Sequence, residues 1–162
     1  RRIYIVGIRK RFDDGSFNFP EPVPRPSIEL FLEPKQPSKC TLPPESQGTA
    51  RSNVLSMLRE LKANGCRPLR VPYIMDCDSS ARRAKYLKDL SPCMTCSRNG
   101  GHWVSSRGRR MTKTEMMRLQ GIDPNTFRVA VSECQLGRQI GNAMSVNVLE
   151  RLFVRLLPAC GL

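Results

Sequence analysis

Eight of the chain's 13 prolines lie between residues 20 and 44, at positions 20, 22, 24, 26, 34, 37, 43 and 44. Each removes a backbone donor and biases the residue before it away from helical geometry. Neither a helix nor an inner strand can run through such a stretch, which therefore reads as a linker or an ordered loop drawn over a surface. Regular structure is expected on either side of it.

Before the prolines, Ile3-Tyr4-Ile5-Val6-Gly7-Ile8 is apolar on both alternating faces and predicts a strand covered on both sides. A chain that opens inside a strand, without an initiator Met, is expected to be cut from something longer. After the prolines, Val54, Leu55, Leu58 and Leu61 recur at helical spacing, with Ser52 as N-cap and Gly65 as stop, so a helix is expected over 53–63. Val71 to Asp76 is a candidate strand, placed at an edge by Pro72. Thr112-Lys113-Thr114-Glu115 fits a capping box and Gly121 a helix end, predicting a helix over 113–120. A last helix carries Val148, Leu149, Leu152, Phe153, Leu156 and Leu157 on one stripe and stops at Pro158. Its start is read at Gly141-Asn142, either as an ordinary cap or as the wall of a ligand pocket, since glycine lets the backbone approach another group.

The 162 residues suit one globular unit, and 40% hydrophobic content is enough for a core, with a mixed α/β or α+β fold expected. No apolar run is long enough to span a bilayer and no cleavage pattern opens the chain, which argues against membrane and secreted readings. The net charge of +13 calls for an anionic partner, nucleic acid before an acidic membrane surface. Residues 79–118 hold ten Lys/Arg and two acids, interleaved with Tyr86, Trp103 and Asn99-Gly100-Gly101. This is the pattern of a loop-rich surface that tracks phosphates, or of a merely solvated basic face. Seven cysteines, scattered and odd in number, suggest a reduced, intracellular protein. Cys93 and Cys96 form the one close pair; a structural zinc would need two more ligands, with Cys77 and His102 as candidates at spacings that match no common finger. Buried thiols are the preferred reading, and no metal is expected.

Three blocks, in order, resemble the carboxy-terminal part of the DNA (cytosine-5)-methyltransferases. Arg2-Ile3-Tyr4-Ile5-Val6-Gly7-Ile8-Arg9 is similar to the end of that family's motif VIII, and Phe17-Asn18-Phe19-Pro20-Glu21-Pro22-Val23-Pro24 to the lead-in to its target-recognition domain. Gly108-Arg109-Arg110-Met111-Thr112-Lys113-Thr114-Glu115-Met116-Met117-Arg118-Leu119-Gln120-Gly121 resembles motif IX, with Thr114 where the family usually has Arg. Gln139-Ile140-Gly141-Asn142-Ala143-Met144-Ser145-Val146-Asn147-Val148 resembles motif X. The family's Pro-Cys-Gln, Glu-Asn-Val and Phe-x-Gly-x-Gly motifs do not occur in these residues, and Pro92-Cys93 is followed by Met94-Thr95, so Cys93 is not read as the nucleophile.

The resemblance implies an α/β protein: a carboxy-terminal fragment of an S-adenosylmethionine-dependent methyltransferase, with a Rossmann-like sheet strand plus helices and a small irregular β-rich recognition domain. Residues 1–24 would end the catalytic strand and lead out of it, 25–108 would form the recognition domain, and 109–162 would return as motif IX and X helices. It further implies methyl transfer from S-adenosylmethionine to C5 of a cytosine flipped from double-stranded DNA. Arg2 would lie at the flipped base and Gly141, Asn142, Ala143 and Met144 at the cofactor. Arg98, Arg107, Arg109 and Arg110 would contact DNA, while Thr112, Glu115 and Gln120, with Arg109, would organise the recognition domain. The missing amino-terminal catalytic region would be a partner; without it the fragment is expected to be inactive and to expose part of its strand and last helix. The location implied is intracellular, nuclear in a eukaryote. The rivals are a free-standing basic nucleic-acid-binding module and one half of a split methyltransferase.

Overall fold

The computed structural model describes residues 3–35 and 41–162. Its centre is a four-stranded antiparallel sheet of β1 (Tyr73–Met75), β2 (Tyr86–Lys88), β3 (Trp103–Val104) and β4 (Arg109–Arg110), in the order β2-β1-β3-β4. Ile74 pairs with Leu87 on one side and Val104 on the other, and Met75 with Tyr86 and Trp103. The pleat sends alternate residues to opposite faces. Tyr73, Met75 and Trp103 pack under helix α1 (Gly48–Ala63), on its buried face of Ala50, Val54, Met57 and Leu61. Ile74 and Val104 face the other way, into a core with Ile28, Leu32, Met111, Met116, Met117, Leu136 and Ile140. That second layer comes from a 3₁₀ turn at Ile28–Phe31, helix α2 (Lys113–Leu119) and helix α3 (Glu133–Asn142). Helix α4 (Val146–Ala159) completes the chain.

The expected first helix is present but begins earlier, at Gly48, one 3₁₀ turn after Pro44. Ser52 is therefore inside the helix and not its cap. At the other end Gly65 takes φ +69° and the Cys66 amide donates to Leu61 O at 2.9 Å, the stop that the glycine signalled. β1 is an inner strand, contrary to the edge position expected from Pro72. That proline lies one residue outside the ladder, where its carbonyl accepts from the Asp89 amide and no donor is required of it. The capping box at Thr112 is formed in full, and Gly121 follows α2 at φ +74°.

Two further expectations are corrected. Residues 3–8 form no strand among the described residues, and Ile3 and Ile5 are 84% and 92% exposed; apolar alternation makes a strand only beside a partner edge, and none lies there. The Rossmann-like strand is thus not seen. Gly141-Asn142 does not start the last helix but ends α3, and α4 starts after Ser145 and runs one residue past Pro158. On α4, Leu152 is buried while Val148, Phe153, Val154 and Leu157 remain exposed.

Candidate nucleic-acid interface

The side chains first assigned to phosphates are mostly engaged inside the molecule. Arg98 donates through Nε to Asp76 Oδ1 at 2.6 Å and through Nη2 to Ser79 Oγ at 2.8 Å. Arg110 grips Asp78 with both terminal nitrogens, at 2.8 and 2.7 Å, and also reaches Gly101 O and Gln47 Oε1. Arg107 pairs with Glu29 and donates to Glu33 O at 3.0 Å. Arg109 forks onto Glu115 at 2.9 and 2.7 Å, with Glu33 3.8 Å away. These bidentate pairs are the strong form of the guanidinium–carboxylate contact.

Glu115 is the hub of one of these networks. It is wholly buried, and each oxygen accepts two hydrogen bonds: from Arg109 and the Glu33 amide on one, from Arg109 and the Thr112 amide on the other. One side chain thus joins the α2 cap, β4 and the middle of the proline-rich stretch. Its hydrogen bonds and charge hold the Arg109 guanidinium above its ordinary value, and Asp78 does the same for Arg110.

A second network fixes the start of the loop between β1 and β2. Asp76 is held by Arg98 and Ser79. Burial pushes its carboxyl up, but the hydrogen bonds from Arg98 and Ser79 outweigh this and hold it below the ordinary carboxylate value. The Asn53 amide, buried on α1, donates to Cys77 O at 2.9 Å and Ser79 O at 2.8 Å. The Cys77 thiol is turned inward, and burial pushes it up to about 11. His102 is buried beside this cluster, its Nδ1 4.0 Å from Asp76 and its Nε2 3.4 Å from Cys93 O, and burial lowers its pKa. Cys93 and Cys96 are exposed, unlike the buried thiols expected of them, and the Cys93 thiol donates to Met94 O at 3.7 Å. Among the described residues no three His, Cys, Asp or Glu side chains converge as metal ligands.

The two motif-like segments meet at the other end. Gln120 Nε2 donates to Ile140 O at 2.8 Å and to Ala143 O at 3.4 Å, capping the carbonyl end of α3, while its own carbonyl accepts the Val146 amide at the start of α4. Gly137 and Gly141, one turn apart on α3, lie against the backbone of Asn99 and of Thr95-Cys96, so closely that a Cβ at either would collide with it. The close approach expected of Gly141 is therefore made, and its neighbour is the Thr95-Cys96 backbone. Asn142 and Met144 are exposed and Ala143 is half-buried. Asn142 lines a cleft of about 560 Å³ with Cys96, Ser97, Asn99 and Arg138. A second cleft of about 590 Å³ is bordered by Ser97 and Asn99 as well, together with Gln47, Thr49, Asp78 and Arg110. Arg2 lies outside the described residues.

Sequence reasoning singled out Thr112, Glu115, Gln120 and the arginines, which the structure places in hydrogen-bond networks, but missed Asn53, Asp76, Asp78 and Ser79, which hold the loop. Only Asn53 left a signal: a polar residue at a core position beside Val54.

No helix of the described residues is long and apolar enough to cross a membrane. The chain is 28% identical to the type II methyltransferase M.HpaII of Haemophilus parainfluenzae, over 99% of its own length and 46% of the relative's. It is 29% identical to the type II methyltransferase M.DsaV of Dactylococcopsis salina, over 96% and 42% respectively. Against the orphan methyltransferase M.SPRI of Bacillus phage SPR the identity is 35%, over 56% of this chain and 23% of the relative. The chain thus spans less than half the length of each of these relatives. The family model for C-5 cytosine-specific DNA methylases matches residues 1–157, nearly the whole sequence, and with motif-like segments joined through Gln120 the chain belongs to that family.

Proposed function

We propose that the chain is the DNA-recognising, carboxy-terminal part of a cytosine-5 DNA methyltransferase, in which a methyl group passes from S-adenosylmethionine to C5 of a flipped cytosine. The observation that carries this reading is the Gln120 junction, which supports one working unit built from the motif IX-like and motif X-like segments. Residues 1–24 would lead out of the catalytic domain, 25–108 would recognise DNA and 109–162 would return, with α2 and α3 also serving the recognition core. The nucleophilic cysteine and the cofactor loop would come from the rest of the parent protein. The exposed apolar residues of α4 and of residues 3–8 would pack against that part, and without it the chain would not methylate.

S-adenosylmethionine, when bound, supplies the electrophilic methyl group. Asn142 and Met144, exposed at a cleft, fit one wall of its site, with Ala143 between them. Gly141 fits a packing role better, because its open face is filled by the Thr95-Cys96 backbone. Arg2 would donate to the acceptor edge of the flipped base and orient an assisting carboxylate. Arg109, Thr112, Glu115 and Gln120 would organise the recognition unit, as their hydrogen bonds support. Arg98, Arg107 and Arg110 would serve DNA mainly by shaping the loops beside it.

The test is methyl transfer from labelled S-adenosylmethionine to duplex DNA by the full-length gene product, with Arg2→Ala and Asn142→Ala as variants. Both should lower transfer while the unfolding curve is unchanged. If the unmutated protein binds DNA but transfers nothing, the reading is replaced by that of a binding module.

A further inference from the structure

The loop between β1 and β2 is built in two halves. In its first half, four consecutive residues are tied to three side chains elsewhere in the fold: Asp76 to Arg98, Cys77 O to Asn53, Asp78 to Arg110, and Ser79 to both Asn53 and Arg98. In its second half the chain closes a tight turn, with the Arg83 and Ala84 amides both donating to Ser80 O at 2.8 and 2.9 Å, and the ladder resumes when Asp76 N meets Lys85 O at 2.9 Å. Arg82, Arg83 and Lys85 on this turn are exposed, and their side chains make no hydrogen bond or ion pair among the described residues.

Charge pairing thus divides the basic region into two kinds of cation. A guanidinium already forked onto a carboxylate brings little net charge to a phosphate and has fewer donors left to offer it. Arg82 and Arg83 carry full charge on a turn whose base cannot move freely, so little ordering cost opposes their binding. We infer that the Ser80–Arg83 tip, through Arg82 and Arg83, grips the phosphate backbone of the DNA, and that Arg98, Arg110 and Asn53 position it without touching the duplex. This rests on the DNA methyltransferase reading and names the part of the recognition surface that meets the substrate.

The experiment measures binding of a fluorescent duplex from low to moderate salt by the full-length gene product, its double variant Arg82→Ala/Arg83→Ala, and an equal-charge control, Arg59→Ala/Lys62→Ala, on the exposed face of α1. Methyl transfer to the same duplex is read in parallel. Loss of two phosphate contacts should make the slope of log K against log salt shallower by about 2 in the tip variant, with the control unchanged. An unchanged slope in the tip variant, or an equal change in the control, overturns the inference. If methyl transfer by the unmutated protein persists in that case, only the tip assignment fails; if the unmutated protein neither binds nor methylates DNA, the underlying reading fails with it.

Discussion

Glu115 shows how much one side chain can organise. It sits in the N3 position that a capping box requires, yet only one of its four accepted hydrogen bonds belongs to the cap. Replacing it with Ala would leave the Arg109 guanidinium and the Glu33 and Thr112 amides without their shared, fully buried acceptor. Breaking a fully buried pair costs about 3–5 kcal/mol, and with the Arg109 side chain 28% exposed the loss falls towards the roughly 1.5–3 kcal/mol of a hydrogen bond to a charged group. Urea unfolding of Glu115→Ala should show a midpoint lowered accordingly, with little change in slope. Asp76 supports a prediction of opposite visibility, because it acts through pH. Its folded carboxyl lies below the ordinary value of 3.8, so its contribution is present above that pH and is lost as pH falls through the folded value. The stability gap between the unmutated chain and Asp76→Asn should therefore narrow below about pH 4 when unfolding is followed by circular dichroism. Cysteine chemistry divides the same way: exposed Cys93, Cys96 and Cys134 should react rapidly with a thiol reagent at neutral pH, whereas Cys77 should react only on unfolding. Peptide mapping of the labelled protein would reveal an early Cys77 adduct if its burial were wrong.

At the level of elements, α3 is the instructive case. Its start carries Ser132 and Gln135 in the same reciprocal cap that made α2 legible from Thr112 and Glu115. The helix nonetheless escaped notice, because two of its four buried positions, Gly137 and Gly141, are glycines and leave the apolar period almost blank. What the glycines do became visible only when the 95–99 backbone lay against them. A methyl group at either site must push backbone, not a flexible side chain, so Gly137→Ala or Gly141→Ala should cost about 1–3 kcal/mol. A melting point reduced by several degrees would show it, and an unchanged one would refute the close packing. The arginines were likewise only half legible. Their sign was plain, but the partners of Arg98, Arg110 and Arg107 lie 22, 32 and 78 residues away, and spacing along a chain says nothing about pairing at that range. The strand expected at residues 3–8 failed for a related reason: its pattern is local, whereas a strand is a property of two edges.

For the whole molecule, the two faces of one small sheet carry the two cores, and the clefts lie where the loops beyond that sheet meet α1 and α3. The amino-terminal residues and α4 stand apart from this arrangement. Arg151 donates to Glu21 O at 2.6 Å across a separation of 130 residues, and the Asp14 amide reaches Ala159 O at 3.3 Å. These polar ties close a loop that spans most of the chain while Phe153, Val154 and Leu157 stay exposed. A closure that leaves these apolar side chains exposed and buries only Leu152 and Ala159 of α4 is weakly held against the entropy it restrains. In deuterium exchange, the amides of α4 and of residues 10–21 should therefore label together and early, at low cost in opening energy, while the β1 and β3 amides wait for global unfolding. The seam between first segment and last helix would then act as the molecule's earliest point of release, long before its centre yields.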